Sequence, residues 1–210
     1  MSTLKGTDPA TDALLDFIAK HESAGNYNAV IGDAAATDDL SLKTIDGIYK
    51  LQAALLADGQ PSSAVGRYQI IRNTLRALQA LEHIGDTDLF TPGMQDRLAV
   101  RLMVGRGYSE WWLDRISDQE FAHRLSMEWA SLPDPEMGGK SHYDGVGPNH
   151  AGYTLTETYA ALAHVRSLIQ PDAPPVPPPS QIDPALVAEA IDVLGRLQSV
   201  LTAYKERVPS

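Results

Sequence analysis

Two short stretches carry the residue types that chemistry on a neutral polymer needs. The first is His21-Glu22-Ser23, at the end of an apolar stripe formed by Leu14, Leu15 and Ile18. Glu22 lies seven residues after Leu15 and four after Ile18, so on a helix it points to the same side as those residues. A carboxyl in the last helical turn, beside apolar side chains, meets the negative end of the helix dipole and loses solvation. Both disfavour the carboxylate and favour the protonated acid, which is what a general acid requires. The competing reading is an ordinary surface glutamate near a helix end.

The second stretch is Gly66-Arg67-Tyr68-Gln69-Ile70-Ile71. Glycine permits a positive φ or a close approach of the backbone to a ligand. Tyr68 and Gln69 offer an aromatic face and an amide, groups that suit a sugar ring and its N-acetyl substituent. The competing reading is a plain turn with Tyr68 packed in the core.

The elements that must position these residues read as mostly α. Asp8-Pro9 starts a helix that runs to about Gly25. Residues 24–43 are a long loop, within which Tyr27 to Gly32 reads as a short strand. Thr44 caps a helix to about Ala57, and another spans roughly Asn73 to His83. Thr91-Pro92 opens a fourth. Ser117 to Glu120 and Thr154 to Glu157 have the spacing of capping boxes and start helices over 118–131 and 155–168. Trp111, Trp112 and Trp129 read as core residues rather than sugar platforms. The Gly/Pro-rich run from Pro133 to Gly139 reads as a flexible rim.

The fold class expected is mainly α (α+β), a helical domain with a small β element over residues 1–170. A Pro-rich linker follows at 171–181, then an amphipathic helix at 182–210. Its heptad of Val187, Leu194, Leu201 and Val208 with Ala190, Leu197 and Tyr204 calls for a covering surface. Folding back on the domain, self-association and partner docking through residues 183–207 all satisfy it.

Composition narrows the functions. A net charge of −10 disfavours nucleic acid as a partner, and no apolar run is long enough for stable membrane insertion. Met1 to Pro9 lacks the apolar core of a signal peptide. There are no cysteines, and the six histidines show no ligand spacing such as H-E-x-x-H. No metal or other cofactor is implied.

Five stretches, in order, resemble the lysozyme-like superfamily, specifically phage endolysins of the lambda-lysozyme type and the wider lytic transglycosylases. They are His21 to Asn26 with Tyr27 to Gly32; Ser63 to Ile71 with Thr74; Phe90-Thr91-Pro92; Gln95-Asp96; and Trp129-Ala130-Ser131-Leu132-Pro133, followed by Gly139 and Tyr143. The resemblance spans about residues 12–168. It departs from the lambda pattern between Gly32 and Ser63 and in a longer loop at 133–152. What it implies is cleavage of the β-1,4 bond between N-acetylmuramic acid and N-acetylglucosamine in peptidoglycan glycan strands. Glu22 would be the catalytic acid and base, and Ser23, Tyr68, Gln69 and Tyr143 would be substrate-binding, with Ser23 orienting Glu22. The product would be a 1,6-anhydro end.

A hydrolysing muramidase is the alternative within the same class. It needs a second carboxylate, for which Asp33, Asp38, Asp39 and Asp46 are the candidates. A non-catalytic virion or glycan-binding module is the alternative outside it. The expected location is synthesis in the host cytoplasm, then action on the cell wall after holin-type release or carriage in a virion.

Overall fold

In the computed structural model, which describes residues 8–146 and 149–169, the chain is mainly helical. The linker and the amphipathic segment expected at 171–210 lie outside the described residues. Helix α1 (Pro9–Ser23) begins as the sequence dictates. The Asp8 carboxylate accepts from the Thr11 N–H at 2.7 Å, and proline occupies the first helical position. It ends at Ala24, in the left-handed region with φ 52°, so Glu22 sits in its last turn.

Thr44 caps α2 (Ile45–Ala57) through the Gly47 N–H. Helix α3 (Arg72–Leu81) follows, and Thr91 caps α4 (Pro92–Gly105) through the Met94 N–H. A short helix that periodicity did not suggest, α5 (Tyr108–Trp112), turns the chain into α6 (Asp118–Ser126). Helix α7 (Leu155–Ile169) starts in a reciprocal capping box. Glu157 accepts from the Thr154 N–H at 2.8 Å while its own N–H donates to Thr154 Oγ1 at 3.2 Å. At Ser117 only half of the box forms, because the Glu120 carboxylate pairs with Arg124 instead.

Three expectations are corrected. Tyr27 to Gly32 is not a strand. Val30 makes only isolated bridges, to Asp33 and to Val65, and the loop is held by the Asn26 side chain, which donates to the carbonyls of Ala34 and Ala36. The helix expected to run to residue 131 stops at Ser126, whose hydroxyl donates to the His123 carbonyl at 2.7 Å. Residues 127–132 then turn, with Leu132 N–H bonded to the Trp129 carbonyl. The run after Pro133, read as a flexible rim, forms a small antiparallel hairpin, β1 (Pro133–Asp134) with β2 (Lys140–Ser141).

The core forms where α1 packs on α7 and α4, with Leu14, Ile18, Leu98, Leu162 and Val165 buried. Trp111 and Phe121 stack at 4.8 Å in it, and the Trp111 N–H finds Asp118 at 2.7 Å. Trp111 and Trp129 are core residues, as their apolar bulk suggested. Among the described residues no helix is long and apolar enough to cross a membrane.

Candidate active site

A cavity of about 970 Å³ opens along one side of this domain, and Glu22, His21, Tyr68, Gln69, Ser131 and Tyr143 are among the residues that line it. It is at the upper end of the range for ligand sites and suits an extended substrate.

Glu22 is half-buried. Its Oε1 accepts from Ser131 Oγ at 2.5 Å and from the Ser131 N–H at 3.4 Å. Desolvation by the surrounding protein pushes its pKa above the ordinary carboxylate value, and the two Ser131 bonds pull against that rise without cancelling it. The result is an acid biased to hold its proton and fixed in orientation. Ser131 reaches Glu22 because α6 stops early and the following turn redirects the chain. The Ser131 carbonyl accepts from the N–H groups of Gly152 and Tyr153, which ties the turn to the segment before α7. Tyr153 closes the other side of α1. Its hydroxyl donates to the Phe17 carbonyl and its ring meets His21 edge-on at 4.0 Å.

Ser131→Ala removes the hydroxyl bond, the shorter of the two that favour the ionised form, and keeps the backbone one. The Glu22 pKa then rises further, so the alkaline limb of the pH–rate profile moves to higher pH. Loss of orientation lowers the maximal rate by about 10–100-fold. A profile measured on both proteins checks this; superimposed alkaline limbs contradict it.

The Gly66 to Gln69 turn forms the adjoining wall. Gly66 has φ 79°, and a Cβ there would stand 2.4 Å from Gln95 Oε1, so no other residue fits. Gln95 on α4 organises the turn. Its Oε1 accepts from the Arg67 N–H at 2.8 Å, and its amide donates to the carbonyls of Tyr27 and Phe90 at 3.1 Å. Arg67 is buried. It ion-pairs with Asp16 and lies 3.5 Å from Asp96, and it donates to the hydroxyls of Tyr27 (3.0 Å) and Tyr68 (2.9 Å). Both hydroxyls in turn donate to the buried Asp96 carboxylate, at 2.9 and 2.7 Å. Burial and the neighbouring Asp96 push the Tyr27 phenol up to about 12, so it stays a donor.

These contacts revise two of the expected roles. Tyr68 borders the cavity, but its side chain is 1% exposed and its hydroxyl serves Asp96, which leaves the ring little surface for a sugar. It is a buried strut, and its carbonyl accepts from Trp129 Nε1 at 3.3 Å. Ser23 does not orient Glu22. It is buried, and its hydroxyl donates to the Arg67 carbonyl at 2.7 Å, which pins α1 to the turn. Gln69 is on the cavity wall with φ 49°, its amide donating to the Gly66 carbonyl. Tyr143 is also on that wall, its hydroxyl donating to the Met127 carbonyl at 2.6 Å.

None of the four candidate aspartates is among the lining residues. Asp33 and Asp39 accept from local backbone N–H groups, Asp46 pairs with Lys50 at 2.6 Å, and Asp38 is exposed. Glu128 is the second carboxylate on the cavity wall among the described residues, and it is ion-paired to Arg106 at 2.9 Å.

A desolvated acid on the wall of a long open cavity has the placement that a general acid for cleaving a polymer requires. The Endolysin family model matches residues 12–160, well over half of the sequence. The chain belongs to the Endolysin family, and its activity is therefore cleavage of peptidoglycan. Among solved structures, bacteriophage lambda lysozyme complexed with a chitohexasaccharide is similar, at a TM-score of 0.48 and 22% identity, covering 74% of this chain and 93% of that one. Comparison with curated proteins returns no match.

Proposed function

We propose that the chain is a lytic transglycosylase that uses Glu22 as both acid and base. Protonated Glu22 donates to the oxygen bridging N-acetylmuramic acid to N-acetylglucosamine as the bond from that oxygen to muramic C1 breaks. The Glu22 carboxylate then takes the proton of the muramic C6 hydroxyl. O6 attacks C1 and closes a 1,6-anhydro ring, so no water is consumed and Glu22 ends protonated again. The substrate's N-acetyl oxygen supports the positive charge at C1 between the two steps. Gln69 and Tyr143 line the path of the sugar, while Tyr68 acts from behind the wall.

The observation that carries this reading is the asymmetry between the acids on the cavity wall. Glu22 is desolvated and held by neutral donors from Ser131. Glu128 is engaged by the Arg106 guanidinium through Nε at 3.0 Å as well as the terminal nitrogen. A hydrolytic mechanism needs a second carboxylate to activate water or attack C1. A transglycosylase needs one acid alone. Glu128 is the residue that a hydrolysing muramidase would have to recruit. The chemistry of the newly formed glycan end separates the two, anhydro for transfer and reducing for hydrolysis.

The substrate is then the glycan strand of the cell wall. A release pore of the holin type delivers the protein to it, or the virion carries it there.

A further inference from the structure

The hairpin gathers three side chains that the cleavage chemistry does not use. His123 lies in the last turn of α6, Asp134 on β1, and His142 directly after β2. Their potential ligand atoms all lie within 4.8 Å of one another. Asp134 is 1% exposed and presents one oxygen to each ring, Oδ1 to His123 Nδ1 and Oδ2 to His142 Nδ1, both at 2.8 Å. The Glu136 N–H donates to Oδ1 at 2.9 Å and fixes the carboxylate. The far nitrogen of His123 faces Glu136 Oε2 at 3.6 Å. The histidine side chains keep 19% and 33% of their surface, so the cluster has a solvent side.

We propose that His123, Asp134 and His142 form a binding site for a divalent metal of the zinc type, separate from the glycan-cleaving centre. Two imidazole nitrogens and one carboxylate oxygen are the donor set that zinc prefers, and an open fourth position goes to water. Metal–ligand bonds of about 2.0–2.2 Å place tetrahedral donors roughly 3.3 Å apart, so each 2.8 Å nitrogen–oxygen contact opens slightly to admit the ion. The two partly exposed rings supply that motion by rotation, while Asp134 stays fixed by its strand and by Glu136. To bind the ion, each ring must present an unprotonated Nδ1, its Nδ1 proton passing to solvent, and carry its one remaining proton on Nε2. The His123 Nε2–H then faces Glu136, an outer carboxylate of the kind that orients metal-bound histidines. The negative charge of buried Asp134 is met by the cation.

The site has a mechanical consequence. It joins α6 to both strands of the hairpin, immediately after the turn that holds Ser131 on Glu22 and immediately before Tyr143. The chain contains no cysteine, so no disulfide performs this cross-link. The spacing of the three residues, eleven and then eight, matches no familiar ligand motif; only the hairpin creates the cluster.

The test titrates tag-free, metal-stripped full-length protein with zinc chloride, with calcium and magnesium chlorides as controls. Isothermal calorimetry and thermal melting are the readouts. One zinc per chain is expected, with a Tm rise of about 5–10 °C at a hundredfold excess over Kd, and no response to calcium or magnesium. His142→Gln removes a partly exposed ligand, so it melts near the wild type without metal and binds zinc at least tenfold more weakly. Should that variant not fold, His123→Gln serves in its place. Absence of zinc binding by the wild type overturns the proposal. So does unchanged zinc affinity in the variant, which would place the ion on other histidines.

Discussion

Glu22→Gln is expected to slow peptidoglycan cleavage by about 10²–10⁴-fold, the contribution of a positioned general acid and base. The amide keeps an oxygen that accepts from Ser131 but has no proton to give and none to take. The same substitution is expected to raise the melting temperature at neutral pH. Burial lifts the pKa of Glu22 in the folded protein above its unfolded value. The stability that this carboxyl contributes is therefore fully present below the ordinary carboxylate range and is lost as pH rises through the folded value. At neutral pH the ionised group in its desolvated place opposes folding, and a neutral glutamine escapes that cost. The Tm advantage of the variant should thus shrink as pH falls and disappear below about pH 4. Clearing of a cell-wall suspension and calorimetry across pH test both halves. A variant that is inactive yet less stable than the wild type at every pH would point to a structural glutamate instead.

The second large effect is expected at Asp96, which never touches the cavity. Asp96→Ala leaves the buried Arg67 with only Asp16 as a charged partner among the contacts described. It also deprives the Tyr27 and Tyr68 hydroxyls of their acceptor. Removing one partner from a buried ionic network costs about 3–5 kcal/mol. For a domain of this size that is a fall of about 6–20 °C in Tm. Activity should fall with it, because Arg67 anchors the turn that walls the cavity. Asp46→Ala is the comparison, since its pair with Lys50 is exposed and worth about 0–1 kcal/mol. Thermal melts that do not distinguish the two variants would show that the network carries no special load.

The helices were legible because their signals are local. Asp8-Pro9, Thr44, Thr91-Pro92 and Thr154 with Glu157 each act within four residues, and each forms the cap that its type and spacing dictate. The end of α6 was not, because the run to Ser131 has helical composition and only the Ser126 side chain and the packing of Trp129 break it. Ser131 stays hidden in the sequence for the same reason, since its direction depends on the break. Gln95 and Asp96 were visible as part of a resemblance but had no assigned work. Two polar residues buried on a core-facing helix were the available sign that they hold something. The resemblance implies that Ser23 orients Glu22, yet adjacent residues on a helix point about 100° apart and do not face one another. Tyr68 shows the opposite limit: residue type suggested a sugar platform, and only the position of Arg67 and Asp96 reveals a buried strut.

If one acid performs both proton transfers, no water enters the product. Mass spectrometry of the muropeptides released from purified peptidoglycan tests it most directly, with wild type and Glu22→Gln run side by side. The expected products carry 1,6-anhydro ends, one water lighter than reducing ends, and disappear in the variant. Reducing ends from the wild type would contradict it and would turn attention to Glu128 as the second carboxylate.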